Sequence, residues 1–396
     1  MKITAFVGET FESFNQNYHA KPTSAAFLQE CVGIDNVYVA SSATPSSGLE
    51  PQGISTVVAD DHFYPFPHYT STKDFVLKTL FKKGFYKSYV SLSEDVIRKH
   101  EGEFFWIRTP SIGSIVFGLT VLRLDQKLLH HMCADASNTW KDNKYKGFNK
   151  VLAFCFSKVL RFKLKEICRH QNTINLCTGD VLERFSKTYS PNQTFQFVDV
   201  MIEAPINALQ LKPRFVKQGD VINLLFVGRV VDDKGVFDLI DAVSRLNGRV
   251  KATIVGDGPD LSKAKRVVNE RKLDSQVVFL GQLPHKQLNQ LYEDTDLVVV
   301  PSNNNYEGFP RVIMEAWSNL KPVIVSNVGG VNAFVKEGVN GFIFEPGNVD
   351  ALTGIIASVV TDVGVLSELE DGVREMSIIS NKEYWVKQVL DIIETN

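Results

Sequence analysis

Short runs rich in Val and Ile alternate with helically spaced stretches through the second half of the chain, and this alternation limits the fold more than any other feature. The runs are Ile222–Gly228, Val250–Gly256, Gln276–Gly281, Asp296–Ser302, Pro322–Asn327 and Gly341–Glu345. Between them, Gly235–Leu246, Leu261–Arg271, Pro284–Tyr292, Pro310–Asn319 and Asp350–Val360 carry apolar residues at helical spacing. Strands that are apolar along their whole length need cover on both faces, so the pattern predicts a parallel sheet between two helical layers. Right-handed crossovers give a Rossmann-like α/β layout, in which ligands sit at the carboxyl ends of the strands.

The first half repeats the theme less regularly. Strands are predicted at Lys2–Val7, Asn36–Ala40, Ile54–Val58, Phe85–Ser91, Phe104–Ile107, Lys127–Met132 and Ile174–Cys177. Helices are predicted at Thr23–Cys31, Thr72–Lys82, Glu94–His100 and Lys150–Arg169, and Ser41–Gln52, rich in Ser, Pro and Gly, reads as a loop. Pro205 and Pro213 interrupt the pattern near Ala204–Gly219. The expected domains are 1–205 and 206–380, with an amphipathic helix near the end, over Asn381–Ile393. Two α/β domains with a ligand cleft between them follow.

A length of 396 residues suits about two to three domains. The net charge of −2 gives no reason to expect a nucleic-acid partner. Five cysteines, with no Cys-x-x-Cys, point away from a disulfide framework or a zinc site and toward reduced thiols in the cytoplasm. Met1–Gly8 runs into Glu9, too short for a secretory leader, and no apolar run reaches the ~18 residues that span a bilayer.

Three segments carry chemistry. Gly228-Arg229-Val-Val-Asp-Asp-Lys234-Gly235 follows a strand and opens a helix. Arg229 offers a planar fork of donors and Lys234 a compact charge, which together suit a diphosphate at a helix start; a solvated basic loop is the plainer reading. Gly256-Asp257-Gly258-Pro259 makes a tight turn that lets a ligand approach the backbone, or is simply a turn with Asp257 as a cap.

The third segment is Glu307-Gly308-Phe309-Pro310-Arg-Val-Ile-Met-Glu315. Pro310 fits the first turn of a helix, so Gly308 and Phe309 would present unpaired N–H groups to a phosphate or sugar hydroxyl. Eight helical residues would separate Glu307 from Glu315 by roughly 12 Å, about the span from a sugar ring past a diphosphate to a ribose. Two surface glutamates on an ordinary helix are the alternative. Asp294-Thr295-Asp296 has the form of a metal-binding pair but opens a buried strand at its amino end, so no metal is assigned to it.

Together these motifs resemble the C-terminal domain of the GT-B glycosyltransferases of family four, the glycosyltransferase group one family. Over Asn223–Val360 the order is Gly228-Arg229…Lys234-Gly235, Gly256-Asp257-Gly258-Pro259, Val278-Phe279-Leu280-Gly281, the Glu307–Glu315 pair, Gly329-Gly330 and Gly338-Val-Asn-Gly341. The resemblance implies a GT-B fold: two Rossmann-like domains facing across a cleft, the first on the acceptor side, the second binding the nucleotide sugar, and a last helix (381–396) returning to the first. It implies hexose transfer with retained configuration from a UDP- or GDP-sugar, UDP favoured, without a required metal or other cofactor. Arg229 and Lys234 would bind the diphosphate, and Glu307 the transferred sugar, aided by the Gly308 and Phe309 backbone. Glu315 would hold the ribose, and Phe279 and Leu280 would face the base.

The chain departs from this pattern at Gly8-Glu9-Thr10, where the family has Gly-Gly, and at Leu320 and Ala333. The first-domain histidine near the reacting sugar has no single counterpart. Either His131 or Asp135 would face the cleft, or each is a hydrogen-bonded residue at a strand end. The acceptor would be a growing polysaccharide, oligosaccharide or lipid-linked glycan. Other GT-B enzymes, such as a nucleotide-sugar epimerase or a phosphorylase, and a non-catalytic glycan-binding protein are the rivals; no pyridoxal phosphate lysine motif supports the phosphorylase.

Residues 141–169 hold nine Lys or Arg against two acidic residues, interleaved with Phe148, Leu152, Phe154, Phe156 and Phe162. This is either a core helix with a solvated basic face or a peripheral contact with an anionic membrane, to which Lys78, Lys82, Lys83 and Lys87 would add.

Overall fold

The structure, a computed structural model, describes residues 1–20, 24–45, 56–135, 138–141, 145–203, 216–304 and 306–396. The chain divides into two compact units, Met1–Met201 with Trp385–Asn396, and Ile202–Tyr384. The expected boundary at 205/206 and most of the predicted loop at Ser41–Gln52 lie outside the described residues.

In chain order the first unit contains β1 (Ile3–Phe14), β2 (Asn17–Ala20), α1 (Ser24–Val32), β3 (Val37–Pro45), β4 (Thr56–Ala59) and β5 (Phe63–Phe66). It continues with α2 (Thr72–Phe81), α3 (Phe85–Lys99), β6 (Phe104–Thr109), α4 (Ile112–Arg123) and β7 (Leu128–Met132). Then come α5 (Gly147–Cys168), β8 (Thr173–Cys177), α6 (Asp180–Lys187) and β9 (Thr194–Gln196). The parallel strands lie in the order β5-β3-β1-β6-β7-β8-β9, and β2 and β4 add an antiparallel ribbon to the far end of β1.

β1 is unusual. Its pairing with β3 slips in register between Phe6 and Thr10, while its pairing with β6 stops at Phe6. A slip of this kind re-aims a side chain, here that of Glu9.

Three sequence expectations fail in this unit. Ser41–Pro45, read as the start of a loop, continues strand β3. Phe85–Ser91 is not a strand, because one helix, α3, covers it together with the predicted helix at Glu94–His100. Tyr86, Tyr89 and Val90 favour strands, but Phe85, Tyr89, Ser93 and Val96 recur every three or four residues and are buried, and that contact decides the conformation. α4 has no counterpart in the sequence reading. It is buried on nearly every side, and a helix apolar all round shows no period to detect.

The second unit follows its pattern closely. It contains β10 (Ile222–Val227), α7 (Val236–Ser244), β11 (Val250–Val255), α8 (Leu261–Glu270), β12 (Val277–Gly281) and α9 (His285–Glu293). β13 (Leu297–Val300), α10 (Val312–Ser318), β14 (Val323–Ser326), β15 (Gly341–Phe344) and α11 (Val349–Thr361) follow. The last helices are α12 (Gly364–Glu368), α13 (Glu370–Ile378) and α14 (Lys382–Thr395). From Trp385 onward α14 belongs to the first unit, where Trp385 is buried edge-on against Phe197 with ring centroids 6.0 Å apart.

All six strands are parallel, in the order β12-β11-β10-β13-β14-β15. Leu224, Phe226, Ile254, Val299 and Ile324 from the sheet meet Ile240 and Val243 of α7 and Ile356 of α11 in one core. Asp296 and Asp294 tie the amino ends of two strands together. The Asp296 carboxylate accepts the Asn223 N–H at 2.7 Å, and the Asp294 carbonyl accepts the Asn223 side-chain amide at 2.8 Å.

Successive strands run outward from β10 in one direction and from β13 in the other, so the sheet changes direction between them. A crevice opens at the carboxyl ends of strands at such a point. Gly235, just beyond β10, has φ +72°, and a Cβ there would collide with the carbonyl oxygen of Pro301, just beyond β13. The missing side chain therefore sets how closely the two exits approach.

Two glycine substitutions should act in opposite directions. Gly235→Ala should destabilise by more than about 1 kcal/mol, because strain and collision add. Gly354 lies exposed inside α11, and an added methyl would meet no other atom within 4 Å, so Gly354→Ala should stabilise by roughly 0.5–1 kcal/mol. Urea denaturation midpoints of the two variants check both signs.

Candidate functional site

The crevice between β10 and β13 is built from two loops. After β10 the chain passes Gly228 and Arg229, makes a single helical turn at Asp232–Lys234, and enters α7 through Gly235. After β13 it passes Pro301 and Ser302 and reaches Glu307 before α10 begins.

Side chains fasten one loop to the other. The Lys234 ammonium pairs with Glu307 Oε1, while Glu307 Oε2 accepts the Asn304 amide at 3.1 Å. The Asn304 carbonyl oxygen accepts the Glu307 N–H at 3.0 Å, closing a small ring that fixes the carboxylate. Beside this, the Tyr306 hydroxyl donates to Asp233 Oδ2 at 2.9 Å. Burial, and then the Asp233 carboxylate, push the Tyr306 phenol well above its ordinary range. The Asn303 N–H donates to the Asp233 carbonyl at 3.1 Å.

A third loop supports the second. The turn after β14 places the Gly330 N–H on the Gly308 carbonyl, and a Cβ at Gly329 would strike the carbonyls of Glu307 and Gly308. Gly256 and Gly258 serve the first loop in the same way, since a Cβ on either would strike the carbonyl of Gly228 or Val230.

The result is a pocket of about 220 Å³ bounded by Gly228, Arg229, Lys234, Ser302, Glu307 and Pro310. Arg229 is exposed and makes no salt bridge among the described residues. Lys234 and Glu307 keep only 23% and 12% of their side-chain surface, so their charges interact through a partly desolvated medium. Among the described residues, the pocket lining thus holds three cationic side chains, Arg229, Lys234 and Arg311, and the fixed carboxylate of Glu307.

The remaining predicted residues are more dispersed. Phe309 is buried against Phe334, ring centroids 5.0 Å apart, so only its backbone remains a candidate for contact. Glu315 is half-buried on α10 and accepts a hydrogen bond from the Tyr292 hydroxyl at 3.4 Å. The helix starts only at Val312, so Glu315 is its fourth residue and the 12 Å helical ruler from Glu307 does not apply. Pro310 precedes the helix because the Glu307–Gly308 segment is held by the Gly329–Gly330 turn. Asp257 is exposed, with its side chain accepting the Gly258 N–H at 2.7 Å. Phe279 and Leu280 lie on the edge strand β12, outside the pocket lining. Asp233, Asn304 and Tyr306 escaped the sequence reading; the only hint was the run of asparagines after β13, a composition typical of turns.

Residues 210–375 match the family of glycosyl transferases group 1. Most of the second unit lies within this match. An uncharacterized glycosyltransferase of Methanocaldococcus jannaschii is 36% identical over 149 residues, covering 37% of this chain and 38% of that protein. The lipopolysaccharide 1,6-galactosyltransferase of Escherichia coli is 30% identical over 138 residues, covering 34% of this chain and 38% of that protein. The matched stretch is thus under two-fifths of the length of these relatives. Anabaena Alr3699/HepE in complex with UDP superposes over 100% of both chains with TM-score 0.69 at 17% identity. Sucrose-phosphate synthase of Thermosynechococcus elongatus gives TM-score 0.69 at 17% identity over 100% of this chain and 99% of that one. The fold is GT-B, with two Rossmann-like units.

Outside the group 1 unit, the first unit has its own change of direction, between β1 and β6. Glu9, just past the point where β1 stops pairing with β6, and Arg108, near the carboxyl end of β6, lie 2.9 Å apart, and Asp199 lies 3.7 Å from the same guanidinium. Arg108 Nε and Glu9 Oε2 are buried without a hydrogen-bond partner among the described residues. Burial pushes the Glu9 carboxyl up to about 7, against the pull of Arg108. In the sequence, Gly8-Glu9-Thr10 stands here where the family has Gly-Gly, and Arg108-Thr-Pro110-Ser111 falls in the region expected near the reacting sugar.

His131 is fully buried between Trp106 and Phe197, with Nε2 3.1 Å from the Thr178 hydroxyl. It is a core residue of β7 here and presents no surface to a sugar. Asp135 is half-buried and accepts the Asn138 amide at 2.8 Å.

Glu9 generates a pH prediction. Its carboxyl titrates higher when folded than when unfolded, so its contribution to stability is complete below about 4.5 and is lost as pH rises through about 7. Glu9→Gln removes this slope. Denaturation midpoints across that interval should decline less in the variant than in the parent protein; equal declines would contradict the assignment.

Proposed function

We propose that this protein is a retaining glycosyltransferase that moves a hexose from a nucleotide-diphosphate sugar, UDP favoured over GDP, to a growing polysaccharide, oligosaccharide or lipid-linked glycan. One observation carries the reading: the loops after β10 and β13 bring Arg229, Lys234 and Glu307 to a single pocket where the sheet changes direction. The UDP in the Anabaena HepE crystal favours UDP, and the galactosyltransferase among the sequence relatives favours a glycan acceptor.

In the reaction, the bond from the anomeric carbon to the diphosphate oxygen breaks and the acceptor oxygen forms a new bond on the same face of the sugar. An acceptor approaching from that face lies beside the departing phosphate oxygen, which takes the hydroxyl proton. Negative charge grows on the diphosphate as the anomeric carbon becomes cationic. Arg229 and Lys234, already in place, stabilise that charge. A diphosphate beside Arg229 draws Lys234 away from Glu307, and the released carboxylate accepts hydrogen bonds from the sugar hydroxyls. The cationic side chains supply the charge a metal would otherwise provide, so turnover continues in EDTA. Five free cysteines fit a cytoplasmic setting, and among the described residues no helix is long and apolar enough to cross a membrane.

A thermal-shift panel of UDP-, GDP- and ADP-sugars tests the reading, because a bound donor raises the melting temperature by mass action. Lys234→Ala and Arg229→Ala should each weaken donor binding roughly ten-fold or more, the usual cost of a lost charge-assisted hydrogen bond. Glu307→Gln should retain UDP binding but lose about 100-fold in turnover. Unchanged donor affinity in both cation variants would remove the site assignment. Donor conversion without acceptor would indicate an epimerase, and glycan binding without any donor shift a non-catalytic protein.

A further inference from the structure

Helix α5 carries two apolar stripes on opposite sides. Its buried residues, Ser157, Leu160, Leu164, Ile167 and Cys168, all come from the second half, and Leu160, Leu164 and Ile167 join the core of the first unit. The other stripe faces water. Phe148 is 75% exposed, Val151 56%, Leu152 52%, Val159 57% and Phe162 56%, and Cys155 is exposed among them. At about 3.6 residues per turn these positions fall on one line, roughly opposite the buried stripe. A helix that only covers the sheet has no need of this second line.

Cations flank it on both sides, Lys158 and Arg169 on one and Lys163 on the other, while Lys146, Lys150 and Arg161 fall toward the side of the buried stripe. Lys146, Lys150, Lys158, Arg161 and Arg169 are exposed, and the one acidic residue of the helix, Glu166, pairs with Lys163 at 2.7 Å. The Lys158 ammonium lies 4.9 Å from the centre of the Phe154 ring, and that of Lys163 lies 5.5 Å from the Phe162 ring. Their stems run beside aromatic surface while their charges remain in water, as at a lipid–water boundary. The chain as a whole is at −2, so this basicity is segregated rather than general. α2 packs on the same core as α5, and at its end Leu80 and Phe81 are 70% and 81% exposed beside exposed Lys82, Lys83 and Lys87.

We infer that the outer face of α5, with the end of α2, docks the protein on a bilayer rich in anionic lipid, the Phe and Leu side chains entering the headgroup boundary and the lysines pairing with lipid phosphates. A line of aromatic and branched residues flanked by cations matches that boundary in both polarity and charge. The surface supports the lipid-linked form of the acceptor proposed above, but binding to vesicles requires no sugar transfer, so the two readings fail separately.

The test uses the full chain with vesicles of phosphatidylcholine alone or mixed equally with phosphatidylglycerol. The protein should sediment with the mixed vesicles and not with the neutral ones. An environment-sensitive fluorophore on Cys155 should shift to the blue only with the mixed vesicles. The triple variant Phe148→Ser, Leu152→Ser, Phe162→Ser and the double variant Lys158→Glu, Arg169→Glu should each lose at least ten-fold in partitioning, with melting temperature and any donor-induced shift unchanged. Equal binding to both vesicle types, no binding, or full binding by either variant overturns the inference. So does a dimer in the absence of lipid that the triple variant disperses without any vesicle binding, because the stripe would then be a contact between copies of the chain.

Discussion

Lys234 and Glu307 stand 73 positions apart in the chain and meet as an ion pair, and the arrangement of the group 1 pocket depends on that meeting. Neither charge is fully solvated, so removing one partner leaves the other partly stranded. Asn304 holds the carboxylate from behind, and Asp233 and Tyr306 form a second bridge between the same two loops. The pair also sets the resting state of the ligand-free protein. Its carboxylate is already oriented and neutralised, and a diphosphate has to compete with that carboxylate for Lys234.

The two units use the same topological device with different contents. In the second, the change of direction in the sheet is lined by three cations, Arg229, Lys234 and Arg311, and one carboxylate. In the first, the equivalent place holds Glu9, Arg108 and Asp199, two carboxylates around one guanidinium. The slipped register of β1 makes this possible by turning Glu9 toward the end of β6, and burial then sets the titration of Glu9.

The second unit was largely legible in the sequence because buried parallel strands must be apolar throughout and the glycines beside them mark strand exits. Arg229, Lys234 and Glu307 stood out as charged residues immediately after such strands. Other features were hidden for physical reasons. α4 is apolar on all sides and so has no period, and α3 begins with residues that individually prefer strands. The Gly330-to-Gly308 hydrogen bond beside the start of α10 is a contact between distant segments that no local pattern encodes. Asn304 and Tyr306 act through partners on another loop, and so were invisible in the same way.

The glycines around the pocket have an evolutionary consequence. Gly235 faces the Pro301 carbonyl, Gly256 that of Gly228, and Gly329 those of Glu307 and Gly308. Each is main chain packed on main chain, so the width of the pocket is set by backbone and not by side-chain volume. Substitutions at these positions cannot widen or narrow it gradually; they break the frame. A change of pocket shape that keeps the frame has to come from side chains that line it, such as Ser302 and Arg311.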